Sequence, residues 1–137
     1  MPALNQPYEA LEKEGLLVTY LVRGGVRIWK GALVCVDSEG YLVPASDTAN
    51  LRFVGVAFES VDNRNGSNGT AKCRVIKRGT FVYHRSGTFS QSDVGTVVKA
   101  TSDNEVAKST TNNIAVGTVV ELPSNTTVRI RIDNHTV

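Results

Sequence analysis

The chain has 137 residues, 41% apolar and 20% charged, which suits one globular domain burying about two-thirds of its unfolded surface. A formal net charge of +2 is a weak footprint for nucleic acid. No apolar run approaches the roughly 18 residues that a membrane-spanning helix needs, and the first residues lack the basic-then-apolar pattern of a secretory leader.

Residues 1–15 stand apart from the rest of the chain. They are poor in β-branched residues, contain Pro2 and Pro7, and show at most a short helical turn over "YEALEK", with Glu9 and Lys13 at i,i+4. Such a segment gains order by docking on a neighbouring molecule, by strand addition or through the apolar anchors Leu4, Tyr8 and Leu11.

From residue 16 to 137 the pattern is all-β. Short Val/Ile/Leu-rich runs predict strands over 16–22, 26–29, 32–37, 41–43, 53–59, 70–77, 81–84, 96–101, 114–121 and 127–132. Turn chemistry separates them: Gly24-Gly25, Ser38-Glu39-Gly40, Ser102-Asp103-Asn104 and Pro123-Ser124-Asn125. In "TVRIRID", Val128, Ile130 and Ile132 fall opposite Arg129 and Arg131; in "AKCRVIKR", Ala71, Cys73 and Val75 fall opposite Lys72 and Arg74. These are sheets with one wet face. "SQSD" at Ser90–Asp93 has capping-box spacing and predicts one helical turn. The expected architecture is a single compact β-sandwich or small β-barrel of short antiparallel strands with an extended N-terminal arm.

A repeat runs through the β region. "GALVCVDSEGYLVPAS" from Gly31 lies on "GTVVKATSDNEVAKST" from Gly95, placing Val34 on Val98 and Leu42 on Val106. Each half then reaches a Val-Gly, Val54-Gly55 and Val116-Gly117. Two similar hairpin units in one domain are expected.

Candidate chemistry is thin. The two histidines, His84 and His135, belong to no nucleophile–base motif, and Cys73 falls on the inward side of its strand rather than beside a base. "ESVDNRNGSNGTAK" fails as a calcium loop: counting from Asp62, Arg64 falls at a ligand position and Cys73 where a glutamate belongs. Asn65, Asn68, Asn125 and Asn134 fit the N-x-[ST] glycosylation pattern, which without a leader is expected to stay unused. The stretch is expected to be a hairpin tip between 53–59 and 70–77, with Asn65-Gly66 and Asn68-Gly69 supplying positive φ. Lys72, Arg74, Arg78, Arg129 and Arg131 form a basic stripe that a solvated sheet face explains without nucleic acid. No enzyme, metal or cofactor is expected. Cys35 and Cys73, each set in an apolar strand pattern, are expected to be free.

The order of these pieces resembles the small capsid decoration (cement) proteins of tailed bacteriophages. The matching features are the Gly-led hairpin "KGALVCVDSEGYLVPAS" and then "VGVA" and "VDN" before the Gly/Asn-rich tip. A basic strand into "RGTF", the "DVG" turn, a second Val-Gly strand and the terminal "VRIRID" complete it, over roughly residues 23–132. The resemblance implies a non-catalytic β domain on the outer surface of the virion, made in the host cytoplasm. Its implied partners are the major capsid protein and itself, as a homotrimer, with no direct nucleic acid and no membrane. In some members of the family an N-terminal arm pairs with the major capsid protein, the role expected of residues 1–15. The candidate capsid contacts are then Pro2, Ala3, Leu4, Asn5, Tyr8 and Leu11. The alternatives are a head-fibre or spike base on the capsid, or a carbohydrate- or nucleic-acid-binding β module. Trp29 is the only Trp for the carbohydrate module; Tyr20, Trp29 and Tyr83 are the stacking residues the nucleic-acid one could use, though none falls in a nucleic-acid-binding signature.

Overall fold

A computed structural model of the chain describes residues 3, 5–7, 10, 13 and 15–133. Among them are twelve strands: β1 (Leu17–Leu21), β2 (Val26–Ile28), β3 (Leu33–Val36), β4 (Leu42–Pro44), β5 (Arg52–Ala57), β6 (Val61–Asn63), β7 (Lys72–Ile76), β8 (Gly79–Arg85), β9 (Val97–Ala100), β10 (Glu105–Ala107), β11 (Ala115–Glu121) and β12 (Thr127–Ile132). The helical turn expected at "SQSD" is a short 3-10 turn over Gln91–Asp93, closed by the capping box of Ser90 and Asp93. The protein is all-β, as the pattern required. The turn expected at Tyr8–Lys13 falls largely outside the described residues.

The expected repeat extends well beyond two hairpins. The first half forms a five-stranded sheet in the order β1-β7-β5-β3-β4; the second forms a closed barrel in the order β8-β12-β11-β9-β10. Strand by strand these are the same arrangement. Val34 opposes Gly55 in β3–β5, and Val98 opposes Gly117 in β9–β11. Leu33↔Val56 and Cys35↔Phe53 recur as Val97↔Thr118 and Lys99↔Ala115. Both pairs of strands carry a bulge at the same place, leaving Val54 and Val116 to turn into their cores. Ala57↔Val75 recurs as Val119↔Ile130, and the β1–β7 ladder recurs as β8–β12, with Tyr20↔Cys73 matched by Tyr83↔Val128.

Closure is repeated too. In the second half β8 and β10 pair in parallel at His84↔Glu105 and Arg85↔Val106. In the first half the matching strands meet at a single parallel bridge, Val22↔Leu42. Arg23 N–H donates to Leu42 O at 3.1 Å, as Ser86 N–H does to Val106 O at 2.9 Å. The described residues thus form two copies of one small barrel-like arrangement, fully closed in the second half and closed by one bridge in the first.

The two interiors hold matching residues: Val34, Leu42, Val54, Ala57, Cys73 and Val75 in one, Val98, Val106, Val116, Val119, Val128 and Ile130 in the other. The barrels differ in what covers them. Leu33, Cys35 and Val56, on the outer side of the first barrel, join the core of the second. This explains why "LVCV" reads as a continuous apolar run: β3 is buried on both sides. The matching residues of the second barrel are Val97, Lys99 and Thr118, and Val97 is 44% exposed where Leu33 is 0% exposed. That face of the second barrel is left uncovered among the described residues, with Lys99 and Thr118 half-buried beside the exposed Val97. The join is tightened by Tyr83, whose hydroxyl donates to Gly31 O at 2.6 Å, and by Leu33 N–H, which donates to Asp103 O at 2.8 Å.

The first barrel carries one addition. β2 and β6 pair as a separate two-stranded ribbon, Val26↔Asn63 to Ile28↔Val61. In the second barrel the corresponding stretches are the 3-10 turn and the short connection between β11 and β12. "ESVDNRNGSNGTAK" is therefore not a simple hairpin tip, since Val61–Asn63 within it is a strand. Gly69 has the expected positive φ, +82°, whereas Gly66 is not among the glycines with positive φ.

Candidate interaction surfaces

The titratable side chains do not converge. Among the described residues, no group of three or more His, Cys, Asp or Glu is placed to hold a metal ion. Cys35 and Cys73 are free and buried, and burial pushes their thiols up to about 12 and about 11. Cys73 lies in the first barrel's core, while His84 is exposed on the second. His135 lies outside the described residues.

The Gly/Asn-rich loop is a structural weld. Asn63, 4% exposed, donates through Nδ2 to Val22 O, Arg23 O and Ser67 O at 3.2, 3.0 and 3.0 Å. Its Oδ1 accepts from Thr70 Oγ1 at 3.0 Å. Asn68 Oδ1 accepts from Gly24 N–H at 2.8 Å, and Gly69 N–H donates to Val22 O at 2.9 Å. A side chain at Gly24 would collide with the backbone of Gly66 and Ser67, so only glycine allows this approach. The acid in the loop is already taken: Arg64 grips both Asp62 oxygens at 2.9 and 2.8 Å and holds that carboxyl well below its usual range.

The basic stripe divides between the barrels. Lys72 and Arg74 lie on β7 of the first, Arg129 and Arg131 on β12 of the second. Arg74 is held by Glu59 at 3.1 and 3.0 Å, and Arg129 lies 3.6 Å from Glu121.

Pro2, Leu4, Tyr8 and Leu11 lie outside the described residues. Ala3 and Asn5 are exposed, as is every other described residue up to Leu16. Where this segment enters β1, a groove of about 590 Å³ opens between the barrels, lined by Leu16, Arg78, Thr80, Arg131 and Asp133. Beside it, among the described strands, β8 from Gly79 to Val82 pairs only with β12, and Val82 is 54% exposed. An edge of this kind is open to strand addition.

A second surface forms around Trp29, which the sequence offered only as a stacking residue. Trp29 comes directly after β2 and is 55% exposed, with the Arg27 guanidinium 3.8 Å from its ring centroid. The signal was present in the alternation of "VRIW", which puts Arg27 and Trp29 on the side opposite Val26 and Ile28. Phe58, also exposed, lies under Arg74 at 4.9 Å.

Compared with known proteins, the sequence matches no protein-family model and no curated protein.

Proposed function

We propose that this chain is a capsid decoration protein: a non-enzymatic β module that binds the outer surface of an icosahedral phage head as a homotrimer and stabilises it. The observation that carries the reading is the order of the sequence pieces that resemble that family. These pieces fall on joints of the duplicated framework: the two Val-Gly pairs at the matched bulges, "VDN" on the buried Asn63, and "DVG" at Gly95, whose N–H donates to Val119 O at 2.8 Å. The exposure of the described residues between Ala3 and Leu16 supports an arm, residues 1–15, directed at a neighbour rather than at its own barrel.

Strand pairing by such an arm nets roughly 0.5–1.5 kcal/mol per hydrogen bond against about 1–2 kcal/mol for fixing each residue, so pairing alone nearly cancels. Binding then needs apolar anchors, for which Leu4, Tyr8 and Leu11 are the candidates. It also gains from several arms tied together in one trimer, where later contacts benefit from effective concentration. Deleting residues 2–14 is expected to leave the melting curve of the β domain intact and to lower occupancy on expanded heads sharply. Full occupancy by the truncated protein would refute the arm's role.

A further inference from the structure

The duplicated barrel allows an internal comparison: what one copy has and the other lacks is not needed to build the barrel. The β2–β6 ribbon is such an addition. Its inner side caps the first barrel with Ile28 and Asn63, which are buried, and with the partly buried Val26 and Val61. Its outer side presents Arg27, Trp29 and Asp62. In the second barrel, Trp29 is replaced by Asp93: Ala32 N–H donates to Trp29 O at 3.1 Å, and Thr96 N–H to Asp93 O at 3.0 Å. Nothing in the fold explains a large indole left 55% exposed at this place.

We propose that the outer side of the β2–β6 ribbon is a docking surface for an acidic protein surface, with Trp29 as the anchor and Arg27 and Lys30 as the groups that meet the partner's carboxylates. Trp and Arg are the residues that most often dominate protein interfaces. The Arg27 stack holds the indole in place before any partner arrives, which lowers the entropy cost of binding. The corner is held rigid, since Lys30 N–H donates to Ser60 Oγ at 2.9 Å and Gly31 N–H to Ala57 O at 2.9 Å.

Charge selects the partner's sign. Four cations, Arg27, Lys30, Arg64 and Arg74, lie on the ribbon and the segments flanking it against two carboxylates. Glu59 pairs with Arg74, and Asp62 is held by Arg64 and also feels Arg27 across the ribbon, so positive charge is left over. Among the described residues, no carboxylate lies within ion-pair distance of Arg27 or Lys30.

The inference rests on the capsid reading, which makes the partner the outer surface of the shell. The test compares wild type, Trp29→Ala and the double reversal Arg27→Glu/Lys30→Glu for binding to expanded, undecorated heads of the phage that encodes the chain, at 50 and 300 mM salt. Both variants are expected to melt like the wild type. Trp29→Ala should lose at least tenfold in affinity and the reversal more, with wild-type binding weakening as salt rises. Wild-type affinity in both variants would overturn the docking surface and leave the capsid reading standing. Failure of the wild type to bind heads would overturn both. Binding of a dT20 oligonucleotide that disappears in Trp29→Ala would assign the ribbon to nucleic acid and overturn the proposal.

Discussion

Asn63 carries more of the first barrel than its place in a polar loop suggests. Replacing it with Ala removes the amide whose two protons are shared among Val22 O, Arg23 O and Ser67 O, and the oxygen that accepts from Thr70. At about 0.5–1.5 kcal/mol per hydrogen bond, with an added penalty for any carbonyl left buried without a donor, the loss is about 3–5 kcal/mol. Unfolding entropy of about 2.1 cal/mol/K per residue over 137 residues gives about 0.3 kcal/mol/K, so Tm should fall by about 10–17 °C. Asn63→Asp is the sharper probe. The shape is kept, but a carboxylate faces three carbonyl oxygens, so the loss should exceed that of Ala at pH 7 and shrink in acid as the group protonates. Scanning calorimetry at pH 7 and pH 4 measures both. A drop under about 3 °C for Asn63→Ala would refute the weld.

Other substitutions test the repeat and the buried groups. At Gly117 an added Cβ would lie 2.5 Å from Arg131 O, and at Gly55 it would strike Ile76 O with φ at +148° as well. Both Ala variants should lose about 1–3 kcal/mol or more, Gly55→Ala the larger, and the opposite order in urea melts would contradict the matched bulges. Lys77, which lies over the Tyr20 ring, is pulled by burial from 10.5 to about 8. Between those values the unfolded chain holds a proton that the folded one has lost, so stability should climb from pH 8 to 10.5. Lys77→Ile, copying the matching Ile132, should raise Tm at pH 7 and flatten that climb; an unchanged slope would contradict it. The thiols of Cys35 and Cys73, raised from 9.0 to about 12 and about 11, should resist iodoacetamide at pH 8 until urea unfolds the chain. Their contribution to stability is whole below pH 9 and is lost as pH rises through 11–12. Rapid labelling of the folded protein would contradict their burial.

Alternation exposed the strands that have one wet face. Val128, Ile130 and Ile132 are buried and Arg129 and Arg131 exposed, as their spacing required. The hairpin repeat was legible through Val34 on Val98 and Leu42 on Val106, all fully buried. Its full extent was not, because the first and last strands of each unit share geometry rather than sequence: β7 is "KCRVI" where β12 is "TVRIRI". β6 and β10, three residues each, are too short to show a period, and β6 exists because β2 offers it a partner. The burial of β3 on both sides comes from the second barrel, and local pattern cannot name that neighbour. The exposure of Trp29 was legible in the alternation of "VRIW"; its stack with Arg27 and its place on a ribbon that the second barrel lacks were not.

The proposed function can be tested directly by adding the purified full chain to expanded, undecorated heads and measuring both bound copies per head and the heads' melting temperature. A capsid decoration protein adds to a fixed stoichiometry in multiples of three and raises the melting temperature as sites fill. No saturable binding, or saturation that leaves the heads melting as before, would contradict it.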